Sequence, residues 1–268
     1  MINWDKAVAF VRQKGNNLDS LRLRCALGQP FSKKEAEEVL AGYQFPDGSW
    51  DYNSPEENPE RIGSLGGTIH CLRWLRELGL ASSGQMTRTL EFLTSIQHSD
   101  GSFYETEAKL RHSPQKWLQE DTIIDQFYFT AALPMRLFSL GYGNHLMVEP
   151  ALTWLEHHWT DWELVTGTWY NVWALLCSPA VTRLHSLYDR CHKKALEWIP
   201  HLEPQPLTWF LDACHGYGYP KDEPLVAKGI QRLQTLQNKE GAWPAHAQTE
   251  TTITALRLLY HYGSQYAG

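Results

Sequence analysis

Asp121 and Asp125 stand four residues apart, the second of them inside an apolar and aromatic run, Ile123-Ile124-Asp125-Gln126-Phe127-Tyr128-Phe129. On a helix that spacing puts two carboxyls on one face, with Cβ atoms roughly 5–6 Å apart. In apolar surroundings both cannot readily ionise, so one pKa rises and a protonated carboxylic acid persists at neutral pH. Such a group can protonate an alkene. A helix N-terminus opposes this by about 0.3–1 kcal/mol, which burial outweighs in a dry site. A plainer alternative makes Asp121 a helix N-cap and Asp125 a hydrogen-bond partner of a neighbouring helix.

A cation made by such an acid needs walls that do not quench it. The chain has 12 Trp, 12 Tyr and 9 Phe, so faces are available. Phe127, Trp169, Tyr170, Trp173 and Trp209 are the expected wall, each face worth about 0.5–2 kcal/mol to a cation. Asn171 and His70 complete the expected substrate-binding set; His70 reads equally as a hydrogen-bonded core histidine, and each aromatic as filling between helices. Other chemistries are less well served. Asp212-Ala-Cys214-His215 has a superficial set of zinc ligands but falls where a helix ends, as a buried turn would. His157-His158 belongs to a solvent-facing helix end. There is no phosphate-cradling or dinucleotide-binding glycine pattern, and no Asp-Asp-x-x-Asp for metal-triggered loss of diphosphate. No cofactor or metal is expected; Mg2+ would enter only with a diphosphate substrate. Arg61, Lys109, Arg111 and Lys116 lie in the two longest loops, 51–65 and 104–119, and could face such a group or be solvated loop charges.

The elements that must position these residues are announced by a recurring phrase. Gln44-Phe-Pro-Asp47-Gly48-Ser-Trp50, Gln97-His-Ser-Asp100-Gly101-Ser-Phe103 and Gln237-Asn-Lys-Glu240-Gly241-Ala-Trp243 share one pattern. Each follows an apolar, helix-like run, and the acid-Gly pair reverses the chain. Periodicity predicts first helices near 3–14, 32–44, 84–97, 146–158, 184–200 and 222–237. Between them lies a second set, aligned on Thr68, Thr122, Thr168, Thr208 and Thr252, with closing glycines at Gly79, Gly141, Gly216 and Gly263. The partner at Leu18–Gly28 has Asp19-Ser20 in place of the Thr, and Pro134 should kink the third. Around the aligned Thr, the positions one before and three after read Gly67/Cys71, Asp121/Asp125, Gly167/Asn171, Leu207/Leu211 and Thr251/Ala255. One helix of these carries acids there.

Six hairpins with aromatic second helices and charged first helices, as in Lys33-Lys34-Glu35, predict an all-α fold. The expected form is an (α/α)6 barrel of inner and outer rings, in one domain spanning 1–268. A net charge of −6 with no basic run argues against nucleic acid. No stretch has the length of a membrane span, the start lacks a signal peptide, and five scattered cysteines fit reduced thiols in the cytoplasm.

The phrase at the end of a first helix resembles the QW repeat of the squalene/oxidosqualene cyclase and protein prenyltransferase superfamily, and the resemblance spans essentially the whole chain. It implies an α/α barrel whose apolar cavity holds an isoprenoid chain. The cyclase branch has Asp-x-Asp-Asp-Thr with the middle Asp as proton donor. Here Leu118-Gln119-Glu120-Asp121-Thr122 matches in the last acid and the Thr, has Glu120 in the middle, and lacks the first Asp. The resemblance therefore implies protonation of an alkene or epoxide and cyclisation of an isoprenoid, with Asp125, Asp121 or Glu120 as the acid. The prenyltransferase branch implies instead a zinc-dependent subunit with a partner chain, and a third alternative is a barrel that only binds lipid or protein. A homo-oligomer is compatible with each.

Overall fold

The computed structural model describes residues 2–51, 53, 61–105, 123–178 and 185–263. Helices make up the fold; among these residues β structure is confined to the isolated bridge pairs Gln44–Trp50 and Trp50–Ser64. The helices are α1 (Trp4–Lys14), α2 (Asn17–Ala26), α3 (Lys33–Ala41), α4 (Leu65–Glu77), α5 (Gly84–Ile96), α6 (Ile123–Ser139), α7 (Val148–His158), α8 (Trp162–Thr166), α9 (Trp169–Leu176), α10 (His185–Trp198), α11 (Pro204–Tyr217), α12 (Pro224–Thr235) and α13 (Gln248–His261). A 3-10 turn, Ile199–His201, follows α10.

Local chemistry explains where they begin. Asn3, Ser64 and Ser83 accept a backbone N–H two or three residues into α1, α4 and α5. Asn16 and Asp19 form a reciprocal capping box on α2, so the Asp expected in a Thr position serves the helix start instead. Pro204 and Pro224 open α11 and α12 where a missing N–H costs nothing. α6 runs through Pro134 without ending. All five cysteines are free thiols.

The chain divides into two compact units, one of Met1–Val39 with His192–Gly268 and one of Leu40–Cys191. In the second, α6 lies between α4 and α9, with α7 packed on α6 and α5 on α4. In the first, α13 lies between α2 and α11, with α1 against α13 and α2, and α12 against α11. The middle helices are the most enclosed. In α13 Ile253, Ala255, Leu256, Leu258 and Leu259 are all fully buried, and α6 buries an unbroken run from Phe129 to Leu137.

The phrase is a clasp between hairpins. The Gln44 amide donates to the carbonyls of Gly48 (3.2 Å) and Gln85 (2.9 Å), and Gln97 and Gln237 donate likewise to Gly101 and Met147, and to Gly241 and Asn3. Each thus ties its own turn to the start of the next first helix: α5, α7 and, for the last, α1. The turn glycines have φ near +90° and press on that same helix. A Cβ on Gly101 would lie 2.3 Å from the Pro150 carbonyl, and one on Gly241 2.5 Å from Lys6 Cβ.

Candidate functional site

The aromatic residue that ends each phrase fixes the register of the second helices. The Trp50 N–H donates to Thr68 Oγ1 at 3.1 Å, and the Trp243 N–H to Thr252 Oγ1 at 3.2 Å. The matching donor of the second phrase, the Phe103 N–H, reaches Thr130 Oγ1 at 2.9 Å. Thr130, not Thr122, therefore occupies the Thr slot of α6, and the alignment that singled out Asp121/Asp125 is eight residues out of register. Relative to the true slot, the compared positions in α6 are the buried Phe129 and Leu133. A second correction concerns α11, which runs on to Tyr217 and closes on Gly218, at φ +92°; Gly216 is inside the helix.

Asp125 lies outside the compared positions but still within the helix. It is five residues before Thr130, on a first turn of α6 that extends beyond the point where α4 and α13 begin relative to their Thr. Thr130 faces the phrase, and five residues at about 100° each put Asp125 roughly 140° round the helix, on the opposite face. Its side chain is buried, 6% exposed. Glu120, Asp121 and Thr122 lie outside the described residues, as do Lys109, Arg111 and Lys116.

Tyr128, one turn from Asp125, faces the same way, and its ring stands 5.3 Å from that of Tyr170 on α9. Burial pushes both phenols above their usual range; Arg136 and Arg73 pull Tyr128 back partway, and Arg73 does so for Tyr170. Both residues are half-buried. Trp173 packs 5.7 Å from Tyr170 and 4.0 Å from Trp169, so the three rings form a continuous cluster along α9, which Tyr170 joins to α6. On α4, His70 is two residues past Thr68, on the face away from the phrase, half-buried and edge-on to Trp74 at 5.2 Å.

The remaining expected residues are placed elsewhere. Phe127 is fully buried and turned toward Trp154 of α7, 6.2 Å away, where it fills space between helix layers. Asn171 is buried within the wall: its amide donates to the Leu164 carbonyl (3.1 Å) and clips the break between α8 and α9. Trp209 is half-buried on α11, in the other unit. Arg61 is half-buried, its guanidinium 4.9 Å above the Phe45 ring. The zinc set is answered differently from its expectation. Asp212 is fully buried in an ion pair with Arg257 of α13, and His215 stands edge-on to His261 at 4.1 Å. No three His, Cys, Asp or Glu side chains among the described residues are grouped to hold a metal.

Sequence reasoning passed over three groups on this face. Arg73 and Arg136 are buried on α4 and α6, and Glu105, also buried, accepts the N–H groups of Leu65 and Gly66 at the start of α4. A signal for the register was present: Thr68 and Gly79, Thr130 and Gly141, and Thr252 and Gly263 are each eleven residues apart.

No protein-family model matches the sequence, and no curated protein matches it either. Solved structures do. Type II terpene cyclase MstE from Scytonema, as a single-residue variant bound to its substrate geranylgeranyl dihydroxybenzoate, superposes with a TM-score of 0.59 at 13% identity. The match covers 96% of this chain and 95% of that one. A second variant of MstE, bound to its product merosterolic acid A, gives a TM-score of 0.52 at 14% identity over 95% and 94% of the two chains. The likeness shows the fold: an all-α, terpene cyclase-like α/α architecture. Among the described residues no helix is long and apolar enough to cross a membrane.

Proposed function

We propose that the chain is a terpene cyclase-like enzyme that protonates an alkene or epoxide of an isoprenoid substrate and cyclises the resulting cation. The observation that carries the reading is Asp125, a buried carboxyl on the face of α6 turned from the phrase, one turn from Tyr128. The fold shared with a cyclase that acts on a prenylated substrate supports it.

In the reaction, the acid O–H breaks as a C–H bond forms at the less substituted alkene carbon. This leaves a carboxylate and a tertiary cation, which the next alkene attacks to close a ring. The faces of Tyr128, Tyr170, Trp173 and Trp169 would each stabilise the travelling charge by about 0.5–2 kcal/mol. Proton loss ends the sequence and restores a neutral alkene. Asp121 and Glu120 remain candidates to orient Asp125 or to replace it. The thiols, all free, suit a reducing cytoplasm.

Purified protein incubated with geranyl, farnesyl and geranylgeranyl diphosphates, squalene and geranylgeranyl dihydroxybenzoate should yield a cyclised product from at least one, and Asp125→Asn should abolish it. Absence of product from all five, or full activity in both Asp125→Asn and Asp121→Asn, would refute the proposal.

A further inference from the structure

The second phrase is held beyond its turn, residue by residue, up to Glu105. Ser102 Oγ accepts the Gln126 amide of α6 at 3.0 Å, while its own N–H and hydroxyl donate to Asp100. The Phe103 N–H donates to Thr130 Oγ1, whose hydroxyl returns to the Phe103 carbonyl at 3.3 Å. Tyr104 stacks on His98, with ring centroids 3.7 Å apart. Glu105, 7% exposed, then turns to α4 and accepts the N–H groups of Leu65 and Gly66 through one carboxylate oxygen. Four consecutive residues thus bridge the early turns of two second helices that pack on each other.

Of the three phrases, this one alone carries an acid at that place. Two residues past the phrase aromatic the sequence has Tyr52, Glu105 and Ala245. A carboxylate suits a helix N-terminus, where first-turn N–H groups lack partners and the helix dipole favours negative charge. Thr68 and Thr130 take the same bond from successive phrases, so they mark one level of α4 and α6. Leu65 and Gly66 come three and two residues before that level, and Asp125 five before it. At about 1.5 Å per residue, Asp125 stands roughly 3–5 Å along the axis from the residues that Glu105 holds. Gln126, which ties α6 to Ser102, is its neighbour in the chain.

We propose that Glu105 is a positioning residue for Asp125, and that Gln126 completes the strap fixing the start of α4 against the early turns of α6. The strap itself rests on hydrogen bonds; its meaning for catalysis rests on the cyclase reading. An acid that must meet one alkene carbon depends on such a strap, because a misplacement of about 1 Å costs on the order of a hundredfold in rate.

The carboxyl carbon resonance of Asp125, assigned by its loss in Asp125→Asn, reads the placement in the full-length protein without substrate. It should move in Glu105→Ala and in Gln126→Ala, and stay where it is in Thr94→Val, an exposed helix position. Glu105→Gln keeps a carbonyl oxygen within reach of Leu65 and Gly66 and should largely restore it. With a substrate that turns over, Glu105→Ala should lower kcat by about tenfold or more at unchanged KM. A carboxylate that only stabilised the fold would leave kcat per folded molecule alone. If the unaltered protein turns over none of the five substrates, the cyclase reading fails, and the Asp125 resonance still tests the strap. Where Glu105→Ala does not fold, Glu105→Asp, which keeps the charge but shortens the reach, takes its place. The proposal is overturned if the Asp125 resonance is unmoved in the folded Glu105 variant, or if that variant turns over substrate as fast as the unaltered protein.

Discussion

Replacing Thr130 by valine tests the register on which the site is built. The substitution keeps the branched shape but removes the hydroxyl that accepts the Phe103 N–H at 2.9 Å and contacts the Phe103 carbonyl at 3.3 Å. Thr130 is fully buried and Phe103 is 1% exposed, so water cannot take over either group. A buried donor left without its acceptor costs about 1–3 kcal/mol. With an unfolding entropy of roughly 2.1 cal/mol/K per residue, a chain of this length should lose about 2–5 °C in Tm. Urea unfolding followed by tryptophan fluorescence would read the loss as a lower midpoint at unchanged slope. Thr68→Val, in the same slot of α4, should behave alike, because it strips the acceptor from Trp50. Thr94→Val, an exposed helix position, should stay within about 0.5 kcal/mol of the unaltered protein. If Thr130→Val matches Thr94→Val while Thr68→Val is costly, Thr130 is not the slot, and the placement of Asp125 and Tyr128 derived from it falls.

Three other outcomes follow from the same geometry. Gly101→Ala should destabilise by well over the roughly 1–2 kcal/mol of left-handed backbone alone, because its Cβ meets the Pro150 carbonyl at 2.3 Å; Gly141→Ala, with nothing within 4 Å, should cost only the backbone share, both read by thermal unfolding. Asp212→Asn should cost about 1–3 kcal/mol by replacing the buried anion that faces the part-buried Arg257 guanidinium with a neutral amide, and zinc content measured by atomic emission should be the same before and after. Asp100 sits below its usual range: burial raises it, but bonds from the Ser102 hydroxyl and N–H outweigh this. Its contribution to stability is therefore present above the unfolded value of 3.8 and lost as pH falls through the lower folded one. Ser102→Ala should move the Asp100 titration upward, as seen in carboxyl carbon shifts by NMR.

Much of the fold could be read directly, because hydrophobic period and caps are local. The first helices predicted at 84–97 and 146–158 appear as Gly84–Ile96 and Val148–His158, and the phrase turns take the left-handed glycines expected of them. The register of the second helices was harder. Thr122 and Thr130 both lie near the start of an apolar run, and the long-range bond from Phe103 chooses between them. Spacing to the closing glycine carries the same information, but Gly216 masked it in α11, where the helix continues two residues to Gly218. Individual aromatic roles were the least legible. Phe127 and Tyr128 are neighbours of like chemistry, yet one packs on Trp154 and the other on Tyr170, a choice set by the helix's rotation between its partners. Arg73 and Arg136 went unnoticed because a lone arginine in an apolar helix has no sequence pattern of its own.

The last clasp joins segments more than two hundred residues apart in sequence. Gln237 and Asn3 exchange hydrogen bonds in both directions, at 2.8 and 3.1 Å, and Lys6 adds a third to the Lys239 carbonyl at 3.0 Å. The final phrase thus treats α1 as its next first helix, just as the earlier phrases treat α5 and α7. An open array must blunt two exposed terminal repeats with atypical polar caps. Here, within one compact unit, α1 covers the turn of the last phrase and that turn covers the start of α1, so neither needs a polar cap of its own on that side.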